Sequence, residues 1–173
     1  MISLSVANDV EEFETAAALC RALGAWDAEE VAAYGVDPQL VISLYHRETA
    51  ETLAAKYSLA GAGLFIARWH GTPAGCLAFN SFDPASAELH KFYVDTRFRG
   101  RGIGRALMDA VLAEIGKSGR RRILIHTTVY MSSAIAVYEA FGFRRCDGFR
   151  AVSPDVAHTE IFMARTTALQ PVS

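Results

Sequence analysis

Cysteine is scarce and scattered in this chain. Cys20, Cys76 and Cys146 are three in number and far apart, so neither a disulfide framework nor a CxxC metal or redox pair can be built from them. They read as small buried hydrophobes. The five histidines, His46, His70, His90, His126 and His158, are as dispersed, and no HxxxH spacing completes a ligand set, so no metal is expected. No window approaches the roughly 18 uninterrupted apolar residues of a membrane span. The opening "MISLSVANDVEEF" has neither the basic start nor the apolar run of a secretory signal, and a cytoplasmic protein without membrane contact is the expectation. Long Pro/Ser/Gly tracts and blocks of like charge are missing too, which argues against disorder. With 173 residues, 51% hydrophobic and 21% charged, one domain over 1–173 with a single core is feasible.

Positive charge is nearly absent from the first half. Residues 1–90 carry 4 Lys/Arg against 12 Asp/Glu, and residues 91–173 carry 13 against 7, so a net charge of -2 conceals halves of -8 and +6. A nucleic-acid binder would be basic throughout with interleaved aromatics. A basic half alone suits one localised anionic ligand, and no nucleic-acid partner is expected.

The hydrophobic spacing orders the elements. "ISLSVAN" alternates as a strand, Asp9 stands as an N-cap, and Val10, Phe13, Ala17 and Cys20 keep helical spacing up to a stop at Gly24. Asp37 and Pro38 open a second helix, and a short third one is capped near Thr49. After the break "GAG" at 61–63 the period becomes strand-like: "LFIARW", a turn "HGTPAG", "CLAFNSF", a turn "DPAS" and "ELHKFYV" form an antiparallel meander. A helix from about Gly102 to Gly116 presents Ile103, Leu107, Val111 and Ile115 on one face, and "RILIHTTV" follows as a strand. Strand, helix and strand at this spacing make "ELHKFYV" and "RILIHTTV" parallel. "SSAIAVYEAFGF" ends a further helix at Gly142, and "HTEIFMART" is the last strand. The fold class is therefore α/β (α+β), a mixed and mostly antiparallel sheet flanked by helices.

Between the central strand and its helix lies "VDTRFRGRGIGRAL", which crowds three glycines and four arginines into one loop. A dinucleotide fingerprint fails, because its last glycine would fall on Arg105 or Leu107, and a P-loop fails for want of its lysine. What remains is a helix N-terminus whose free N–H groups and positive dipole end attract phosphate, with glycines permitting close approach. The alternative is a tight turn solvated by its arginines.

This segment resembles the acyl-CoA-binding motif of the GNAT superfamily of N-acetyltransferases, Q/R-x-x-G-x-G/A, matched here by Arg99, Gly102 and Gly104. "SSAIAVYEAFGF" resembles that family's second signature, A-I-x-x-Y-E ending in G-F. The resemblance implies a GNAT-type fold in which the parallel pair splays into a V. It implies acetyl-CoA as cosubstrate, with pantetheine along Phe92 and Val94 and the pyrophosphate on Arg99, Gly100, Arg101, Gly102, Ile103, Gly104 and Arg105. By the same resemblance Tyr138 is the acid that protonates the leaving thiolate, although its place in an apolar stripe also suits a core tyrosine. Glu88 is the leading base and His90 its reserve; strand alternation puts Glu88, His90, Phe92 and Val94 on one side unless a bulge intervenes, and an exposed strand end is the bland reading of both. His126, Thr128 and Tyr45 are candidate acceptor-pocket residues. Where many members carry Asn, this chain has Met131, followed by Ser132 and Ser133.

The implied function is N-acetyl transfer from acetyl-CoA to a primary amine of a small molecule or peptide in a ternary complex. A non-catalytic acyl-CoA-binding or sensing module is the alternative, and a homodimer stays open. Covalent transfer through Cys20 or Cys76 lacks a neighbouring His and carboxylate in the sequence.

Overall fold

The computed structural model describes residues 1–167. Strand β1 (Ile2–Val6) leads to Asp9, whose carboxylate accepts the Glu12 N–H at 2.8 Å and caps helix α1 (Val10–Val31). Phe13, Ala17 and Cys20 are buried as their spacing predicts, whereas Val10 in the first turn is 75% exposed. Gly24 does not end α1, which runs on to Val31. A Cβ at Gly24 would stand 3.0 Å from the His46 Cβ, so this glycine permits a close approach instead of stopping the helix. Helices α2 (Pro38–Tyr45) and α3 (Ala50–Tyr57) begin at the expected caps, Asp37 and Thr49, the latter in a reciprocal box with Thr52.

Strands β2 (Gly63–Trp69), β3 (Thr72–Asp83) and β4 (Ser86–Val94) form the meander. Its first turn shrinks from the expected six residues to His70 and Gly71, because Thr72, Pro73 and Gly75 already pair with β2. Helix α4 (Ile103–Gly116), strand β5 (Arg122–Thr128), helix α5 (Ser132–Ala140), a two-residue strand β6 (Arg144–Arg145) and strand β7 (Glu160–Thr166) complete the described chain. The sheet order is β1-β2-β3-β4-β5-β7-β6, with every pairing antiparallel except β4 with β5. The mixed, mostly antiparallel sheet with one parallel pair is thus as expected. Among the described strands β6 alone had no counterpart in the hydrophobic pattern, since two exposed arginines carry no period.

Two cores sandwich the sheet. On one face α4 inserts Ile103, Leu107, Val111 and Ile115, each at most 1% exposed, against Leu77, Leu89, Ile123 and Ile125. Burying each such side chain stabilises the fold by roughly 1.5–3 kcal/mol. On the other face α1 and α3 pack Phe13, Leu23 and Leu53 on Leu64 and Ile66.

Two irregularities open the sheet in the middle. Pairing between β4 and β5 begins at Ser86↔Arg122 and stops at Leu89↔Ile125, beyond which the strands part. On its other side β4 carries one extra residue, since Cys76 pairs with Tyr93 but Ala78 with His90. Lys91, at φ 57, lies within that bulge. The alternation therefore breaks: Glu88 and His90 face the α1/α3 side, while Phe92 and Val94 pack towards α4.

Candidate active site

The larger of two adjoining cavities, about 600 Å³, is lined by Phe92, Val94, Arg99, Gly100, Gly102, Ile103, Gly104 and Arg105 from β4 and the glycine loop. The first backbone hydrogen bond of α4 runs from Ala106 N–H to Gly102 C=O, so the amides before it have no partner within the helix. Gly100 and Gly102 sit at φ 76 and 80, in the left-handed region that glycine adopts without strain. A Cβ on Gly104 would meet the Phe92 ring at 3.1 Å, so only glycine leaves the floor of the cleft clear. The N-terminus of α5, with Ser132 and Ser133, opens onto the same cleft. Two helix dipoles thus point positive ends at one space, and an anionic diphosphate fits both their charge and the unpaired amides.

Of the loop arginines, Arg99 donates from Nε to the Val94 carbonyl at 3.1 Å and lies over Trp26, 5.5 Å from its ring centre. Arg101 is carried away from the cleft onto the Trp69 ring, at 4.9 Å. Of the residues expected to hold the coenzyme, it alone is not among those lining the cleft.

The second cavity, about 280 Å³, meets the first at Leu23, Phe92 and Met131, which line both. Glu88, His90, Tyr138, His126, Thr128 and Tyr45 all line it, so every residue expected for catalysis or for the acceptor is brought together. Tyr138 is 5% exposed, and burial pushes its phenol well above the ordinary value, so it keeps its proton. Its hydroxyl has no hydrogen-bond partner among the described residues, and its ring lies against Phe92 and Phe143.

Glu88 is 2% exposed. Burial is the largest influence on its carboxyl and raises it, but the hydrogen bonds of His90 and Arg150 and the charge of Arg150 together prevail and hold it at about 2. His90 Nε2 stands 3.0 Å from Glu88 Oε1, and Arg150 Nη2 bonds the same oxygen. Because a carboxylate only accepts, Nε2 carries the proton, and Nδ1 of the neutral ring accepts from the Tyr57 hydroxyl at 2.9 Å. Burial holds His90 below its usual range, consistent with that neutral form. Among the described residues Glu88 Oε2 is buried without a partner, as is the Thr128 hydroxyl.

Four further groups were not singled out from the sequence because their partners are remote in the chain. Arg150 reaches Glu88 from the loop before β7 and stacks its guanidinium over Phe149 at 5.2 Å. Glu160 accepts from Tyr45 at 2.7 Å on one oxygen and faces His126 Nε2 at 3.0 Å with the other. Asp27, 3% exposed on α1, accepts from Tyr130 and stands 2.6 Å from His46 Nε2. Lys91, turned by the bulge, donates to the Tyr45 carbonyl and pairs with Glu48, both at 2.8 Å.

The family model described as the acetyltransferase (GNAT) family matches residues 17–143, and the chain belongs to that family. It is similar to an uncharacterized N-acetyltransferase of Methanocaldococcus jannaschii, 36% identical over 47% of this chain and 38% of that protein. It also resembles an IAA acetyltransferase of Azospirillum brasilense, 32% identical over 52% of this chain and 60% of that one. The matches thus span less than two thirds of either relative. Among solved structures, a GNAT-family acetyltransferase from Staphylococcus aureus superposes with a TM-score of 0.70 at 18% identity, covering 96% of this chain and 99% of that one. At that identity the likeness speaks for the fold.

Proposed function

We propose that the protein transfers an acetyl group from acetyl-CoA to a primary amine of a small molecule or short peptide, with both substrates bound together. The observation that carries this reading is the junction of the two cavities at Leu23, Phe92 and Met131, where an electropositive cleft abuts a carboxylate-lined pocket. The cleft's unpaired amides on Gly102 to Arg105 would hold the coenzyme diphosphate, and Phe92 and Val94 of the unpaired stretch of β4 would run beside pantetheine. Bound acetyl-CoA supplies an electrophilic thioester and a thiolate that leaves.

The chain's own groups do the rest. An acceptor ammonium finds the partnerless Oε2 of Glu88, a carboxylate held in place by His90 and Arg150. One proton must leave the ammonium before its nitrogen pair can form the N–C bond, because a free alkylamine has a pKa of about 10. The second N–H proton is lost as the C–S bond breaks, and the Tyr138 hydroxyl would donate to the sulfur and regain a proton from the nitrogen. A pocket of about 280 Å³ limits the reacting portion of the acceptor to small-molecule dimensions.

Thiol release from acetyl-CoA across a panel of diamines, amino acids, aminoglycosides and short peptides tests this reading. Release with at least one class is expected. Tight coenzyme binding with no release from any of them would instead favour the sensing module.

A further inference from the structure

We infer that His126, oriented by Glu160, is the base that takes the proton from the acceptor. This rests on the acetyl-transfer reading, and it begins from position. The last β4–β5 pair is Leu89↔Ile125, so His90 and His126 are the first residues of the two strands as they part. His126 is paired directly with Phe162 of β7 and lines the same pocket as Tyr138 and Glu88.

Its ring is held on three sides. Nε2 faces Glu160 Oε2 at 3.0 Å, and the other oxygen of Glu160 is occupied by the Tyr45 hydroxyl, so the carboxylate cannot swing away without losing a second bond. Phe162 stacks on the imidazole at 4.4 Å and 20°, and Tyr45 meets it edge-on at 5.9 Å. A carboxylate behind one nitrogen fixes the tautomer and leaves the lone pair on the other. Among the described residues that other nitrogen, Nδ1, has only the long 3.5 Å approach of Arg150 Nη1, from a side chain that is 37% exposed.

The rival groups are engaged. His90 spends both nitrogens on Glu88 and Tyr57. His46 gives Nε2 to Asp27, and its Nδ1 is shut against Gly24 of α1. Glu88, with Arg150 and His90 on one oxygen, is a firm counter-charge for an ammonium and a poor acceptor of its proton. The charged and titratable groups that share the pocket are Asp27 from α1, Tyr45 and His46 from α2, Glu48 and Lys56 around α3, Glu88, His90 and Lys91 from β4, Tyr138 from α5, Arg150 from the loop and Glu160 from β7. In the step itself a proton passes from the ammonium to His126 Nδ1, the electron pair stays on the amine nitrogen, and the imidazolium, balanced by Glu160, returns the proton to solvent.

The experiment measures kcat and KM against pH for the panel amine with the highest turnover, in wild type and in His126→Gln, Glu160→Gln and Glu88→Gln. His126→Gln should lower kcat by about 10²-fold or more and abolish the acidic limb of the profile, with CoA affinity unchanged as the sign of an intact fold. Glu160→Gln should lower kcat less and move the limb to lower pH, whereas Glu88→Gln should raise the acceptor KM and keep the limb. Should His126→Gln fail to bind CoA, Glu160→Gln decides: an unmoved limb overturns the inference. An undiminished His126→Gln, or a limb that vanishes in Glu88→Gln instead, overturns the base while acetyl transfer stands. A wild type that releases no thiol with any amine overturns both.

Discussion

Glu88 carries a negative charge to a position 2% exposed in the middle of a sheet face, and its hydrogen bonds to His90 and Arg150 make that tenable. Its carboxyl is held down at about 2 in the fold, against 4.5 for an ordinary glutamate. A depressed folded value means that the charged form stabilises the native state at pH above about 4.5 and that this contribution fades as pH falls towards 2. The contribution is on the order of 3 kcal/mol. Urea unfolding of wild type and Glu88→Gln across pH 2 to 7 should show wild-type stability falling more steeply below pH 4.5, the two curves converging near pH 2. Tyr138 poses the opposite case, a phenol that burial keeps protonated and that has no hydrogen-bond partner among the described residues. Tyr138→Phe should lower turnover by about 10²-fold while leaving CoA affinity in place, which a coenzyme-binding titration beside the thiol assay would read. Unchanged turnover would leave Tyr138 as a packing residue between Phe92 and Phe143.

Helices and strands were legible wherever local chemistry set them. The caps at Asp9, Asp37 and Thr49, the four-residue spacing on α4 and the βαβ crossover depend on neighbours within a few positions, so the sequence displays them. Gly24 misled because a glycine that ends a helix and one that lets another segment approach look identical in one chain; His46, 22 positions on, distinguishes them. The bulge at Lys91 is hidden likewise, being a mismatch in length between β3 and β4. The pocket residues were named from their strands, but Arg150 with Glu88 and Glu160 with His126 meet across 62 and 34 positions, beyond any local pattern. Two glycines test this at the level of elements. Gly24→Val should lower stability by about 1–3 kcal/mol by forcing α1 and His46 apart, measured by denaturant unfolding. Gly104→Val should leave the fold in place and weaken coenzyme binding by tenfold or more, on the order of 1.4 kcal/mol, because its side chain meets Phe92 and fills the floor of the cleft.

At the scale of the whole molecule the sheet is two arms hinged on the four residue pairs between Ser86–Leu89 and Arg122–Ile125. One arm, β1 to β4 as far as His90, belongs to the acidic part of the chain, where residues 1–90 sum to -8; the other, with α4 and the strands after it, belongs to residues 91–173, which sum to +6. The cleft is lined from both sides of the parting, by Phe92 and Val94 of β4 and by Ser132, Ser133 and Val137 of α5. A ligand that touches both sides adds contacts where the backbone ladder has stopped, and such a ligand stabilises only the native state. Coenzyme A at 100 times its Kd should therefore add about 2.7 kcal/mol, which for a chain of this length raises Tm by about 5–10 °C. The dinucleotide NAD carries a diphosphate without pantetheine, and a shift of similar size with NAD would mean that the loop answers to phosphate alone. A large shift with coenzyme A, a small one with NAD and the loss of both in Gly104→Val would tie the stabilisation to the loop and the unpaired β4 edge acting together, which differential scanning calorimetry can resolve in one series.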